Sequence, residues 1–164
     1  MVFVNASVLI PLAKTGKLWL LKKSFRQIKI TSGVKEELTS FKKPGAHEID
    51  IALKSWIQEE AKNNSSGAKS LARAENISEA DAELIIIAKK QNEKILTNDY
   101  RLHSVAITKE VETEWLTFFI AKCAINKILS KQEAKETIFE LVQAGMHLKP
   151  EVYAAIHQKL DELE

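Results

Sequence analysis

Three short apolar runs, Val2-Phe3-Val4, Ile28-Lys29-Ile30 and Lys94-Ile95-Leu96-Thr97, each lie beside stretches whose apolar residues recur with helical spacing. The first is followed by Leu9, Ile10, Leu12 and Ala13, a helix that Gly16 should end, and Leu18-Trp19-Leu20-Leu21 begins a second helix. The period of two at Ile28-Lys29-Ile30 predicts a strand, Thr31-Ser32-Gly33 a turn, and residues 34–38 a helix. Pro44-Gly45 breaks the chain, and Ala52, Leu53, Trp56 and Ile57 give residues 49–61 a helical rhythm. A loop is predicted at Asn63-Asn64-Ser65-Ser66-Gly67. From Ser78 the pattern predicts a capped helix through Leu84-Ile85-Ile86-Ile87-Ala88, a polar turn, and the strand at residues 94–97. A further strand at residues 111–116 precedes helices at 118–129, 131–143 and 151–163. The second of these opens on the capping box of Ser130 and Glu133 and is closed by Gly145; Pro150 fits the first turn of the third. There is no internal repeat. Strands alternating with helices imply an α/β fold with a central parallel sheet flanked by helices, in which ligands gather beyond the carboxyl ends of the strands.

A chain of 164 residues that is 45% apolar can bury one contiguous core. The lone cysteine, Cys123, rules out an intrachain disulfide and reads as a small buried hydrophobe, as expected in a reducing cytoplasm. The apolar runs are too short for a membrane span, and no secretory pattern opens the chain, so the expectation is a soluble cytoplasmic protein. The net charge of +2 conceals an asymmetry: residues 1–43 carry 9 basic and 2 acidic side chains, the remainder 15 and 20. A polyanion would therefore meet one part of the surface rather than all of it.

Polar groups cluster where such a sheet would present them. Asn5 follows the first strand, Glu37 lies in the helix after the second, Asp81 opens the helix before residues 94–97, and Asp99 follows that strand. Carboxylate oxygens converging at one sheet edge would suit a hard divalent cation such as magnesium or manganese. Each residue also has a plainer reading: Asp81 as part of a capping-box-like start at Ser78-Glu79-Ala80-Asp81, Asp99 as an Asx-turn or helix cap, Asn5 and Ser7 as caps of the first helix, and Glu37 as helix surface.

Taken in order, Val4-Asn5-Ala6-Ser7-Val8-Leu9-Ile10, Val34-Lys35-Glu36-Glu37-Leu38, Glu79-Ala80-Asp81-Ala82-Glu83-Leu84-Ile85-Ile86-Ile87-Ala88 and Leu96-Thr97-Asn98-Asp99 resemble the motifs of the PIN-domain family. The resemblance covers residues 1–117 as a PIN-like nuclease domain. Residues 118–164, with Ala144-Gly145-Met146 and Lys149-Pro150-Glu151-Val152-Tyr153, are similar to the C-terminal helical extension of a prokaryotic subfamily related to VapC toxins. It implies a PIN-like fold and a toxin-like endoribonuclease that uses Mg2+ or Mn2+, forms a homodimer and is inhibited by a small antitoxin. Glu37, Asp81 and Asp99 match three of the family's acids as catalytic residues and metal ligands. Asn5 stands where an aspartate is usual and becomes an auxiliary ligand. Ser7 matches the small hydroxyl after the first acid, while Thr97 and Asn98 flank the last acid and would orient it or a water.

Lys14, Lys17, Lys22, Lys23, Arg26 and Arg101 are candidates for RNA backbone contacts. His47, His103, His147 and His157 show no paired metal-ligand spacing and read as surface residues. No Gly-rich or Walker-type nucleotide loop is present. A second reading keeps the fold but makes it an RNA- or partner-binding module silenced by Asn5. A receiver-like regulator is a third, but it lacks the early acidic pair.

Overall fold

The computed structural model describes residues 1–40, 42–61 and 65–163. In chain order these form β1 (Val2–Val4), α1 (Ala6–Lys14), α2 (Trp19–Phe25), β2 (Ile28–Thr31), α3 (Ser32–Ser40), α4 (Ala46–Leu53), β3 (Ile57–Glu60), α5 (Ser65–Glu75) and α6 (Glu79–Gln91). They continue with β4 (Lys94–Thr97), α7 (Tyr100–Thr108), β5 (Thr113–Trp115), α8 (Leu116–Ile125), α9 (Lys131–Gln143) and α10 (Pro150–Asp161). The strands make one parallel five-stranded sheet in the order β3-β2-β1-β4-β5, as the alternation of strand and helix predicts.

Every residue of β1 is buried, and so are Ile95, Leu96 and Thr97 of β4, because helices cover the sheet on both faces. Phe3, Leu9, Leu12, Ile30, Leu84, Ile85 and Ile95 belong to one continuous core. Phe119, Ile120, Cys123, Ile138, Leu141 and Leu160 of the last three helices, with Met146 from the loop between α9 and α10, are part of the same core. Phe25 and Phe119 stack with ring centroids 5.6 Å apart. Burial raises the Cys123 thiol above its usual range, as befits a packed hydrophobe. Among the described residues no helix is long and apolar enough to cross a membrane.

The strand order fixes where a ligand can enter. From β1 the chain proceeds outward to β2 and β3, then returns to the other side of β1 with β4 and continues to β5. The direction reverses between β1 and β4, so their carboxyl ends flank a crevice that no crossover helix fills. Asn5 and Asn98-Asp99 are the residues that leave those two strands.

Several predicted elements are different in the structure. The rhythm at 49–61 splits into α4 and the strand β3, although Gln58, Glu59 and Glu60 are poor strand formers. β3 is an edge strand, paired with β2 alone. Its acids are held by neighbouring lysines, Glu59 to Lys35 at 2.5 Å and Glu60 to Lys29 at 3.3 Å, and charge on an edge also discourages pairing with other chains. Thr31-Ser32-Gly33 is no separate turn: Thr31 ends β2 and Ser32 starts α3, where Gly33 N donates to Glu83 and Val34 N to the Thr31 hydroxyl. Asn63 and Asn64 lie outside the described residues, but Ser65, Ser66 and Gly67 open helix α5 rather than a loop. Ala68 and Ala72 of that helix lie close against Ala82. Trp56 is buried, whereas Trp19 is exposed with Lys23 over its ring.

Candidate functional site

Asn5 begins the site because β1 ends on it. Its N–H donates to Leu96 O at 3.0 Å, extending the β1–β4 ladder by one bond. Its side-chain Oδ1 accepts from Ser7 N at 3.0 Å and caps α1. The amide nitrogen on the same side chain donates to Asp81 Oδ1 at 3.3 Å, so one buried residue ties strand, helix and acid together. Across the crevice Asn98 N donates to Ser7 Oγ at 2.9 Å, and the hydroxyls of Ser7 and Thr97 stand 3.4 Å apart. Thr97, fully buried, accepts from Asp99 N at 3.0 Å, and Asp99 Oδ1 accepts from Leu102 N at 2.9 Å to cap α7. The capping readings of Asn5 and Asp99 are therefore correct descriptions of one oxygen on each side chain. Capping and a role in the cleft coexist, because each has a second polar atom.

Glu37 reaches the site by helix packing. Glu83 is a buried carboxylate on α6, and its two oxygens accept from Ser32 Oγ at 3.0 Å and from Gly33 N at 2.9 Å, at the start of α3. Gly33 fits tightly there: a methyl group on it would stand 2.7 Å from Ala80 Cβ and 2.8 Å from Ala80 Cα. Glu37 is one helical turn beyond Gly33, on the same side of α3, and Asp81 directly follows Ala80 on α6. The close approach of α3 and α6 thus sets the Glu37–Asp81 pair. Gly33→Ala is expected to cost about 1–3 kcal/mol of stability by overpacking and to weaken function by moving Glu37. Urea denaturation with full retention of stability would show that this approach is not tight.

Asn5, Glu37, Asp81 and Asp99 line one cleft of about 530 Å³, with Ser7, Ser78, Asn98 and Lys14 also on its wall. Glu37 is an exposed residue of this lining. Burial, then the charges of Asp81 and Asp99, raise its carboxyl above the ordinary range. Asp81 is raised as well, chiefly by burial and then by Asp99, against hydrogen bonds from Ser78 and Asn5 that lower it. Mutual repulsion of this kind is what a cation relieves, and a set made only of oxygen donors suits a hard divalent ion. Among the described residues no group of three or more acids, histidines or cysteines is already drawn together as a ligand cage; the carboxylates are spread around the cleft. The residues present fit a hard divalent ion in the chemistry of their donors, all oxygen, and in lining one cleft.

The family model DUF3368, described as a PIN domain, matches residues 1–162. The chain belongs to the PIN-domain family. PIN domains are in general nucleases and typically use divalent metal ions. Among solved structures the chain is similar to the one titled "Crystal structure of PAE2754 from Pyrobaculum aerophilum", with 17% identity over 63% of this chain and 77% of that one and a TM-score of 0.49. No curated protein matches it.

In this PIN domain the candidate phosphate contacts do not all reach the cleft. Lys14 lines it and donates to Ala144 O at 3.3 Å. Lys17 is paired with Glu140 at 2.9 Å, and Arg101 donates to Glu75 O; neither lines the cleft. Four features there escaped the sequence reading: Ser78 as a wall residue, Glu83 as the clamp on α3, and Met146 and His147 on the loop after α9. Glu83 left one sequence signal, a carboxylate inside the apolar run of α6; His147 left none.

Proposed function

We propose that this PIN domain is a metal-dependent endoribonuclease of toxin-like type that hydrolyses RNA phosphodiester bonds. Glu37, Asp81 and Asp99 would hold magnesium or manganese, and Asn5 would be an auxiliary ligand. The observation that carries the reading is that three carboxylates and Asn5 line one cleft at the β1/β4 crevice, where burial and then neighbouring acid charge raise the carboxyls of Glu37 and Asp81. When bound, a divalent ion supplies Lewis-acid polarisation of a phosphate and a water that ionises near neutral pH. The chain's own residues do the positioning: Thr97 and Leu102 N–H fix Asp99, Ser78 and Asn5 fix Asp81, and the Gly33 contact fixes Glu37. Because Glu37 and Asp81 hold protons more readily than ordinary carboxylates, ion binding displaces protons and strengthens as pH rises. With only three full charges, Glu37, Asp81 and Asp99 would hold one ion weakly to moderately, and a second would need the substrate's phosphates as added ligands. By family resemblance the protein acts in the cytoplasm as a homodimer with a small antitoxin, residues 1–117 forming the nuclease domain and 118–164 its extension.

Asn5 favours one alternative, a silenced RNA- or partner-binding module, since its amide satisfies Asp81 without any ion. Incubation of single-stranded and structured RNAs with the protein in manganese separates the two. Cleavage that Asp99→Asn abolishes supports the enzyme, because asparagine still caps α7 and the fold survives. RNA binding without cleavage supports the module.

A further inference from the structure

An acidic cleft repels the polyanion it is meant to cut, so something on the same cleft must offset that repulsion. Another part of the cleft's lining supplies the means: Ala144, Gly145, Met146 and His147, from the loop joining α9 to α10, and Lys14 at the end of α1.

This loop is anchored rather than loose. Gly145 has φ +102, a left-handed conformation that glycine adopts without cost, and its N–H donates to Val142 O at 3.0 Å. Met146 N donates to Leu141 O at 2.9 Å while its side chain is 4% exposed in the core. The Lys14 bond to Ala144 O and the Lys17–Glu140 pair at 2.9 Å tie the start of the chain to the same corner. The result places exposed His147, together with Lys14, on the lining of the same cleft as the carboxylates.

We infer that His147 and Lys14 form a phosphate-contact subsite for single-stranded RNA, so that the α9–α10 loop positions the strand beside the carboxylates. This rests on the nuclease reading above and adds the residues that orient the substrate. Lys14 supplies charge without base preference, and His147 supplies one N–H donor in either neutral tautomer. Neither touches the scissile centre by this assignment; both are positioning residues.

The test is fluorescence anisotropy of a labelled single-stranded oligoribonucleotide of mixed sequence, with the full-length Asp99→Asn chain as the parent and a salt titration for each variant. His147→Ala is expected to weaken binding roughly three- to tenfold, the range for one hydrogen bond, and His147→Gln, which keeps a donor, to retain most of it. Lys14→Gln keeps a donor for Ala144 O but loses the charge, so the slope of log affinity against log salt should shrink by about 0.7, the value for one phosphate contact on a single strand. A structural role for Lys14 would not move that slope. If His147→Ala and Lys14→Gln match the parent in affinity and slope, the subsite is overturned and the nuclease reading stands. If the parent does not bind and the unsubstituted protein does not cleave, both fall.

Discussion

Asp81→Asn is expected to abolish divalent-dependent RNA cleavage and, in the ion-free protein at neutral pH, to raise the melting temperature. The two effects have one cause. Burial and the nearby Asp99 charge push the Asp81 carboxyl above its ordinary range, and the hydrogen bonds from Ser78 and Asn5 only partly counter them. A group whose folded pKa is raised binds more protons in the folded than in the unfolded state between the two values. Stability is therefore fully present below the ordinary carboxylate range and is lost as pH rises through the raised value. At neutral pH the ionised Asp81 is a burden on the ion-free fold, and asparagine removes it while leaving the backbone bond from Asp81 N to Ser78 Oγ, 3.0 Å, in place. Asparagine also loses the modest benefit of an anion in the first turn of a helix, a smaller effect than the repulsion and burial it escapes. For function the sign is opposite. A carboxylate near a divalent ion contributes on the order of 4 kcal/mol per unit charge pair at about 4 Å, before desolvation is subtracted. Its loss should lower cleavage on the order of a hundredfold or more. Melting curves in a chelator across pH, beside cleavage assays in manganese, check both halves. The stability gain should vanish in acid, where Asp81 is neutral in either state. A variant that melts lower at neutral pH, or still cleaves, would remove Asp81 from the centre of the site.

Parts of this fold could be read from sequence where local signals agree with one another. β1, β4, α6 and α9 were legible because apolar run, capping residue and period agree: Ser78 caps α6, Ser130 and Glu133 form the reciprocal box on α9, and β1 is apolar throughout. β3 was not, since Gln58, Glu59 and Glu60 carry no strand preference. Pairing with β2 and the lysines opposite decide its state, and those contacts do not exist until the fold does. The start of α5 was misread for a related reason: Ser65, Ser66 and Gly67 carry a loop signal, but Ala68 and Ala72 allow close packing at Ala82. α7 went unanticipated although its cap, Asp99, had been noted as one.

The candidate site divides in the same way. Asn5, Asp81 and Asp99 follow strands or open helices, so topology alone brings them near one another. Glu37 depends on the distance between α3 and α6, which Gly33 and Glu83 set and no local pattern announces. His147 is brought to the cleft by a loop 110 residues beyond Glu37 in sequence, and only the packing of α9 against the core puts it there. Sequence spacing could not separate Lys14, which faces the cleft, from Lys17, three residues on and paired with Glu140.

Asn5→Asp should bind manganese at least tenfold more tightly than the natural chain while melting lower in a chelator. Aspartate at this position keeps an oxygen to accept from Ser7 N, so α1 remains capped. What it cannot keep is the amide donor now 3.3 Å from Asp81 Oδ1; two carboxylate oxygens would face each other instead. Position 5 is 5% exposed, and little water can screen that repulsion. In the ion-free protein one of the pair must take up a proton or the crevice must open, and either lowers stability at neutral pH. A divalent ion reverses the balance, because the added charge is then attracted where a neutral amide offers only a carbonyl dipole. Tighter binding should come with a steeper dependence on pH, since more protons leave as the ion enters. Isothermal titration at two pH values, with melting curves in chelator and in manganese, separates these effects. Affinity that stays the same or weakens would mean that Asn5 caps α1 and buffers Asp81 but does not face the ion, and the auxiliary-ligand assignment would be withdrawn even with the three acids still in their places.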